Sequence, residues 1–255
     1  MPPKKAQTQE LQTKALTSWQ QEMADKAKSA RAQIIQGVSR ITHEGGMLAV
    51  DKKPLQGNKL EVVIIDSILA NEYYTTKFQP GVPASPGCYA FGGDVTTMAP
   101  HPEAPEKQSP TCAACKWNVY GSAENGKGKA CRNTARLLVV MPIDKPDAYA
   151  KQEKRQISVP PTSLKPWGNF LAGLTDTTLT GSPLEAVTSL STTRRPGKTY
   201  HELTFDMVRR VPDNAVEALF ELSKKSAGLL SQPFPKLDAG EAPTAKVARK
   251  SRKLD

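Results

Sequence analysis

The chain has four cysteines, Cys88, Cys112, Cys115 and Cys131, in the order C-x23-C-x2-C-x15-C. A C-x2-C pair on a tight turn puts two thiolates on the same side of the chain. Two more from flanking segments then complete a tetrahedral zinc site. Structural zinc on these four residues is the expectation, with unpaired or redox-active thiols and disulfides as the competing readings. His101, between Pro100 and Pro102, is either a substitute for Cys88 as ligand or a loop histidine without a metal role. Four thiolates leave the ion no open position, so the zinc would be structural and not catalytic.

The residues around the cysteines suggest what such a site would hold in place. From Lys116 to Arg136 the cations are Lys116, Lys127, Lys129, Arg132 and Arg136, against one acid, Glu124. Trp117 and Tyr120 sit among them, and the glycine-rich stretch 121–129 reads as a flexible loop. Cations spaced by glycine can follow a phosphate chain, and aromatic faces offer stacking surfaces for bases. Tyr73 and Tyr74 are further stacking candidates, and Arg194, Arg195 and Lys198 are phosphate candidates from a second loop. The plainer alternative is that the aromatic rings cover the metal site and the lysines are only solvated.

Several elements must position these side chains. Residues 1–7 read as a basic lead. Leu11, Ala15, Leu16, Trp19, Met23, Ala27, Ala30 and Ile34 then recur at helical spacing up to Gly37. A hairpin is expected around Glu44-Gly45-Gly46, followed by turn-like sequence at 53–58. Val62–Ile65 reads as a buried strand, with Tyr73–Thr76 as a second or strongly bent one, and the loop 80–87 delivers Cys88. Residues 137–141 form a short apolar strand, and 143–155 a polar excursion. Another strand ends at Pro160, before a helix capped by Thr162 or Ser163 that carries Leu164, Trp167, Phe170, Leu171 and Leu174. Residues 184–211 alternate as a hairpin turning at 195–198. A last helix spans about 214–230, with Val216, Leu219, Phe220, Leu222 and Leu229 as its apolar face. The fold class is therefore mainly β with flanking helices, best matched by an OB-type Greek-key barrel with a zinc-binding insertion at about 86–134. The domain reading is 1–38 for the lead and amphipathic helix, 39–230 for the barrel, and 231–255 for a basic, disordered tail.

At 255 residues and a formal net charge of +10, the chain can bury a core and favours an anionic partner, nucleic acid before a membrane surface. No apolar run approaches a membrane span, and the N-terminus lacks the apolar core of a secretory signal. Cytoplasmic localisation follows. The histidines His43, His101 and His201 are scattered, and zincin, nucleophile-elbow, P-loop, dinucleotide and deaminase signatures are missing. No enzymatic activity is expected.

The cysteine block also carries a resemblance. Cys112-Ala-Ala-Cys115, Asn118-Val-Tyr-Gly121-Ser122 and Gly126-Lys-Gly-Lys-Ala-Cys131 lead into the strand 137–141, and Pro161-Thr-Ser-Leu-Lys-Pro-Trp167 follows. In that order, over roughly residues 60–220, the chain resembles a phage-encoded family of zinc-containing single-stranded-DNA-binding proteins. More loosely, it is similar to the zinc-containing helix-destabilising protein of T-even phages. The resemblance implies sequence-independent coating of single-stranded DNA in phage replication, recombination or repair. It also implies possible phage replication partners, self-association on DNA, and the host cytoplasm as the setting. The basic C-terminus differs from the acidic tail of many single-strand-binding proteins and is expected to add nonspecific DNA affinity. The rival readings are a zinc-dependent factor that binds duplex DNA or a polymerase, and a nucleic-acid enzyme such as a nuclease.

Overall fold

The computed structural model describes residues 38–76, 84–143 and 145–234. The amphipathic helix read over 8–37 and nearly all of the basic tail lie outside them. Among the described residues the protein is mainly β: one curled half-barrel sheet with two α-helices. Its strands are β1 (Ser39–Thr42), β2 (Ala49–Val50), β3 (Lys53–Pro54), β4 (Lys59–Tyr73), β5 (Cys88–Gly92), β6 (Arg132–Val140), β7 (Arg155–Val159), β8 (Ala186–Arg194) and β9 (His201–Arg210). The helices are α1 (Leu164–Leu174) and α2 (Asp213–Lys225). The strand order is β3-β2-β1-β7-β6-β4-β8-β9, and β5 pairs with the far half of β4.

β4 organises the sheet. Its 15 residues hold β8 along Lys59–Val63, β5 along Leu69–Tyr73 and β6 along Val63–Glu72, all antiparallel. Tyr73–Thr76 is not a second strand; β4 runs unbroken to Tyr73, with a register shift between Ile64 and Asp66. Alternation along a strand sends successive side chains to opposite faces. Val62 and Ile64 therefore join Leu137, Val139, Ile157, Val159, Leu190, Leu203 and the ring trio Trp167, Phe170 and Phe205 in the main core. Val63 and Ile65 are equally buried on the other face. Apolar residues without alternation at 62–65 thus mark a strand covered on both sides.

The β1–β2 turn reaches across to β8 and β9 and holds the curl. Asn58 takes a left-handed conformation (φ 52°). It accepts from the Leu48 N–H (2.7 Å) and donates to the Gly46 carbonyl (2.8 Å) and to Thr192 Oγ1 (2.6 Å). Gly46, at φ +80°, is required here, since an added Cβ would lie 2.4 Å from the His201 ring.

Three local expectations need correction. Ser163 precedes α1 without capping it by a side-chain bond; its buried Oγ accepts from the Leu203 N–H (2.8 Å) and ties the helix to β9. α2 stops at Lys225 and buries Ala215, Leu219 and Leu222, whereas Phe220 is 53% exposed under Lys224. The folded body also runs past residue 230, because Phe234 packs on Tyr89 and Arg136.

Candidate metal and nucleic-acid site

β5 and β6 flank the C-terminal half of β4, and the chain between them carries the cysteines. Cys88 opposes Tyr73 at the start of β5, and Cys131 immediately precedes β6. Cys112 and Cys115 lie on the intervening segment, which is pinned by the Cys112 N–H to the Met98 carbonyl (2.8 Å) and the Cys131 N–H to the Trp117 carbonyl (2.8 Å). All four are buried and none is in a disulfide. They line one small cavity of about 20 Å³ with Asn71, Tyr73, Gln108 and Asn118, room for one water-sized particle. Among the described residues, no group of three or more His, Cys, Asp or Glu side chains forms a ready metal cluster as it stands. The thiols share the cavity without meeting as a closed ligand set.

At the sulfurs, burial favours the neutral thiol, and N–H donors work against it. Burial raises the pKa of Cys88 and Cys112, and it pushes Cys131 up to about 12, with the other three thiols adding repulsion. Against this, the Gln108 backbone N–H bonds to Cys88, the Asn71 side chain to Cys112, and the Glu72 backbone N–H to Cys131. N–H donors aimed at sulfur favour the charged form. Asn71 belongs to a carboxamide chain that sequence reasoning missed. Asn133 Nδ2 donates to Asn71 Oδ1 (2.6 Å) and to Asn118 Oδ1 (2.9 Å), which leaves the Asn71 amide hydrogens for the Cys112 sulfur. Asn118 Nδ2 in turn donates to the Cys112 carbonyl (2.9 Å), and Lys129 Nζ to Asn118 Oδ1 (3.2 Å). The only sequence signal for this chain is the i, j register of Asn71 with Asn133, visible once the strands are paired.

His101 stays outside the cavity. It stacks on Tyr89 at 5.2 Å, and its Nδ1 accepts from the Glu103 N–H (3.2 Å). The donor set at the cavity is four sulfurs.

Trp117 and Tyr73 stack beside the cysteines, with ring centroids 5.0 Å apart and planes at 15°. Trp117 Nε1–H donates to Gln108 Oε1 (3.0 Å), and Lys116 Nζ lies 4.8 Å from the indole centroid. Tyr120 is 76% exposed; Lys127 and Lys129 are exposed near it. The stretch 121–129 is a bonded knuckle. The Gly121 N–H donates to the Gly128 carbonyl (2.7 Å), and Ser122 Oγ accepts from the Ala130 N–H (3.0 Å). Gly121, Gly126 and Gly128 all take positive φ.

The other candidates are divided. Arg132 opposes Glu72 and holds its guanidinium 5.5 Å from the Tyr74 ring centre, so Tyr74 pairs with Arg132 and not with the Tyr73–Trp117 stack. Arg136 is not a phosphate contact. It is 4% exposed, lies between Phe91 (4.2 Å) and Phe234 (4.5 Å), donates to the Leu230 carbonyl (3.0 Å) and faces Glu72 (3.6 Å). Arg194, Arg195 and Lys198 are exposed on the β8–β9 hairpin, beyond the start of β4. Arg195 is bonded to Glu202 (2.6 Å). The cysteines lie at the other end of β4, about 46 Å away along the strand at 3.3 Å per residue.

No protein-family model matches this chain, and no curated protein or solved structure matches it. Among the described residues, no helix is long and apolar enough to cross a membrane.

Proposed function

We propose that this protein binds single-stranded DNA without sequence preference, on a surface fixed by zinc held by Cys88, Cys112, Cys115 and Cys131. The observation that carries the reading is the Tyr73–Trp117 stack. It stands against the cavity that all four thiols line, with Lys116 on the indole and Tyr120, Lys127 and Lys129 exposed nearby. A buried sulfur set with N–H donors suits a divalent, thiophilic ion that replaces the thiol protons. Zinc supplies cross-linking there: it ties β5, the C-x2-C turn and the start of β6 together. The residues of the chain do the binding. Aromatic faces stack on bases, and lysines neutralise phosphates regardless of sequence.

The topology favours the OB-type reading. β4, β6, β7, β8 and β9, with α1 between the third and fourth, lie in the spatial order 3-2-1-4-5. This suits a partly open five-stranded Greek-key barrel to which β1–β3 and β5 are additions. In that scheme the cysteine segment is the loop after the first strand, and the 195–200 tip is the loop between the fourth and fifth. Barrels of this type bind oligonucleotides with those two loops. The two basic regions then serve as separate contacts along one strand of DNA. Anisotropy titrations of labelled single-stranded, duplex and RNA oligomers over a salt series, with and without a zinc chelator, test the reading. Tight, salt-sensitive single-strand binding that weakens with zinc removal supports it; a preference for duplex or no binding at low salt rejects it.

A further inference from the structure

Three carboxamides join the exposed knuckle to the buried cysteines, and the groups at either end fix their polarity. Lys129 Nζ can only donate, so the Asn118 atom 3.2 Å from it is the carbonyl oxygen. The Cys112 carbonyl can only accept, so the Asn118 atom facing it is Nδ2 (2.9 Å). Both ends give Asn118 the same orientation. Its Oδ1 therefore calls for a donor from Asn133, whose Nδ2 lies 2.9 Å away. The same Nδ2 lies 2.6 Å from Asn71 Oδ1. With its oxygen turned to Asn133, Asn71 directs its amide group to the Cys112 sulfur. A chain that begins at a cation in solvent ends with an N–H on a buried sulfur.

The position of Asn71 is as specific as its orientation. It is 5% exposed on β4, directly opposite Asn133 of β6 and Ala90 of β5. Ala90, Met98 and Cys112 form an apolar cluster with Leu69 beside it. A polar side chain in such surroundings is costly unless its bonds are met. Here they are met by one carboxamide and one sulfur. Asn118 holds the Cys112 carbonyl while Asn71 holds the Cys112 sulfur, so the C-x2-C turn is fastened at its backbone and at its ligand atom.

We infer that Asn71, Asn133 and Asn118 are the outer sphere of the zinc site, with Asn71 the positioning residue that orients Cys112 and sets how tightly the ion is held. The inference rests on the zinc part of the proposed function and deepens it. A sulfur bound to zinc carries negative charge, and an N–H aimed at it stabilises that charge and holds the ligand in one orientation. Cys88 and Cys131 take backbone N–H donors, which a side-chain substitution leaves in place. The donor on Cys112 is a side chain and can be exchanged. Its orientation depends on Asn133, and through Asn133 on Asn118, so the effect of each carboxamide falls off with its distance from the sulfur along the chain.

The test uses the full chain, loaded with zinc for affinity and with cobalt(II) for spectra. Asn71→Leu keeps the size of the side chain and removes the donor. Competition with a chromogenic chelator should show zinc affinity lowered about ten- to hundredfold, the usual effect of losing such a partner. In the cobalt protein the sulfur-to-metal charge-transfer band should move, because one sulfur has lost its hydrogen bond. Asn118→Ala, at a half-buried position, should shift both readouts in the same direction by less. A purely structural role for Asn71 would lower the unfolding midpoint and leave the band and the zinc affinity of the folded protein as in the wild type; that result overturns the inference. If Asn71→Leu does not fold, Asn118→Ala decides by the same two readouts, and wild-type values for both reject it. A wild type that holds one zinc beside variants of equal affinity removes this inference alone. A wild type that takes up neither zinc nor cobalt removes the underlying zinc reading with it.

Discussion

Two cation–aromatic arrangements stand on either side of the same three strands, β5, β4 and β6. On one face, Lys116 lies over Trp117, which stacks on Tyr73 beside the thiol cavity. On the other, Arg136 lies between Phe91 and Phe234 with Glu72 as counter-charge. The composition is alike and the roles are opposite. The register explains why. Ile68, Ala70 and Glu72 share a face with Arg136, whereas Asn71 and Tyr73 share the other with Cys88 and Ala90. The first face keeps its cation in solvent and its indole half-buried, open to a ligand. The second is closed by the chain itself, because Phe234 and the Leu230 carbonyl cover the guanidinium. A basic residue among aromatics thus stays open to solvent or becomes a structural clamp according to the face it falls on.

The largest expected effect tests the closed face. Arg136→Ala removes one partner of a buried pair and empties the space between Phe91 and Phe234, leaving Glu72 with Arg132 and Arg40 alone; the loss is about 3 kcal/mol measured by urea unfolding. The folded variant should bind single-stranded DNA as the wild type does. A large affinity loss with unchanged stability would place Arg136 on the DNA face instead. Next in size, Trp117→Ala should cost about 1–3 kcal/mol of single-strand binding by anisotropy, with little change in unfolding midpoint. Removing Lys127 and Lys129 as a double alanine variant should flatten the slope of log K against log salt by about 0.7 per lysine, the single-strand value.

The smallest effect is a pH dependence. Burial raises the Glu72 pKa and outweighs the nearby Arg136 charge, and burial likewise lowers that of Arg136. Both shifts have the same meaning: desolvation exceeds the attraction between the partners, and the aromatic sandwich and the Leu230 carbonyl hold the clamp. Folded Glu72 therefore binds its proton more tightly than the unfolded chain does. Its contribution is fully present below the unfolded value and is lost as pH rises through the raised folded value. Glu72→Gln should remove that decline from a stability–pH profile.

Much of the architecture was legible in the sequence. The apolar run at 62–65, the turn residues at 195–198 and the helical spacing of Trp167, Phe170 and Leu174 each mark an element by a local pattern. The site was legible only in part. Spacing drew attention to the four cysteines because a C-x2-C turn is local chemistry. The fate of Arg136 depended on Phe91, 45 positions earlier, and Phe234, 98 positions later, and no local pattern carries such contacts. For the same reason Asn71, Asn118 and Asn133 looked like ordinary polar residues until pairing of β4 with β6 joined them.

In the proposed function, one zinc ion held by four thiols keeps the Tyr73–Trp117 surface ready for DNA. The most direct test is a single-strand anisotropy titration on protein of measured zinc content, before and after the metal is stripped and restored. One zinc per chain, a large loss of affinity on stripping, and recovery on adding zinc back are expected. A metal-free protein that binds single strands with undiminished affinity would contradict the proposal.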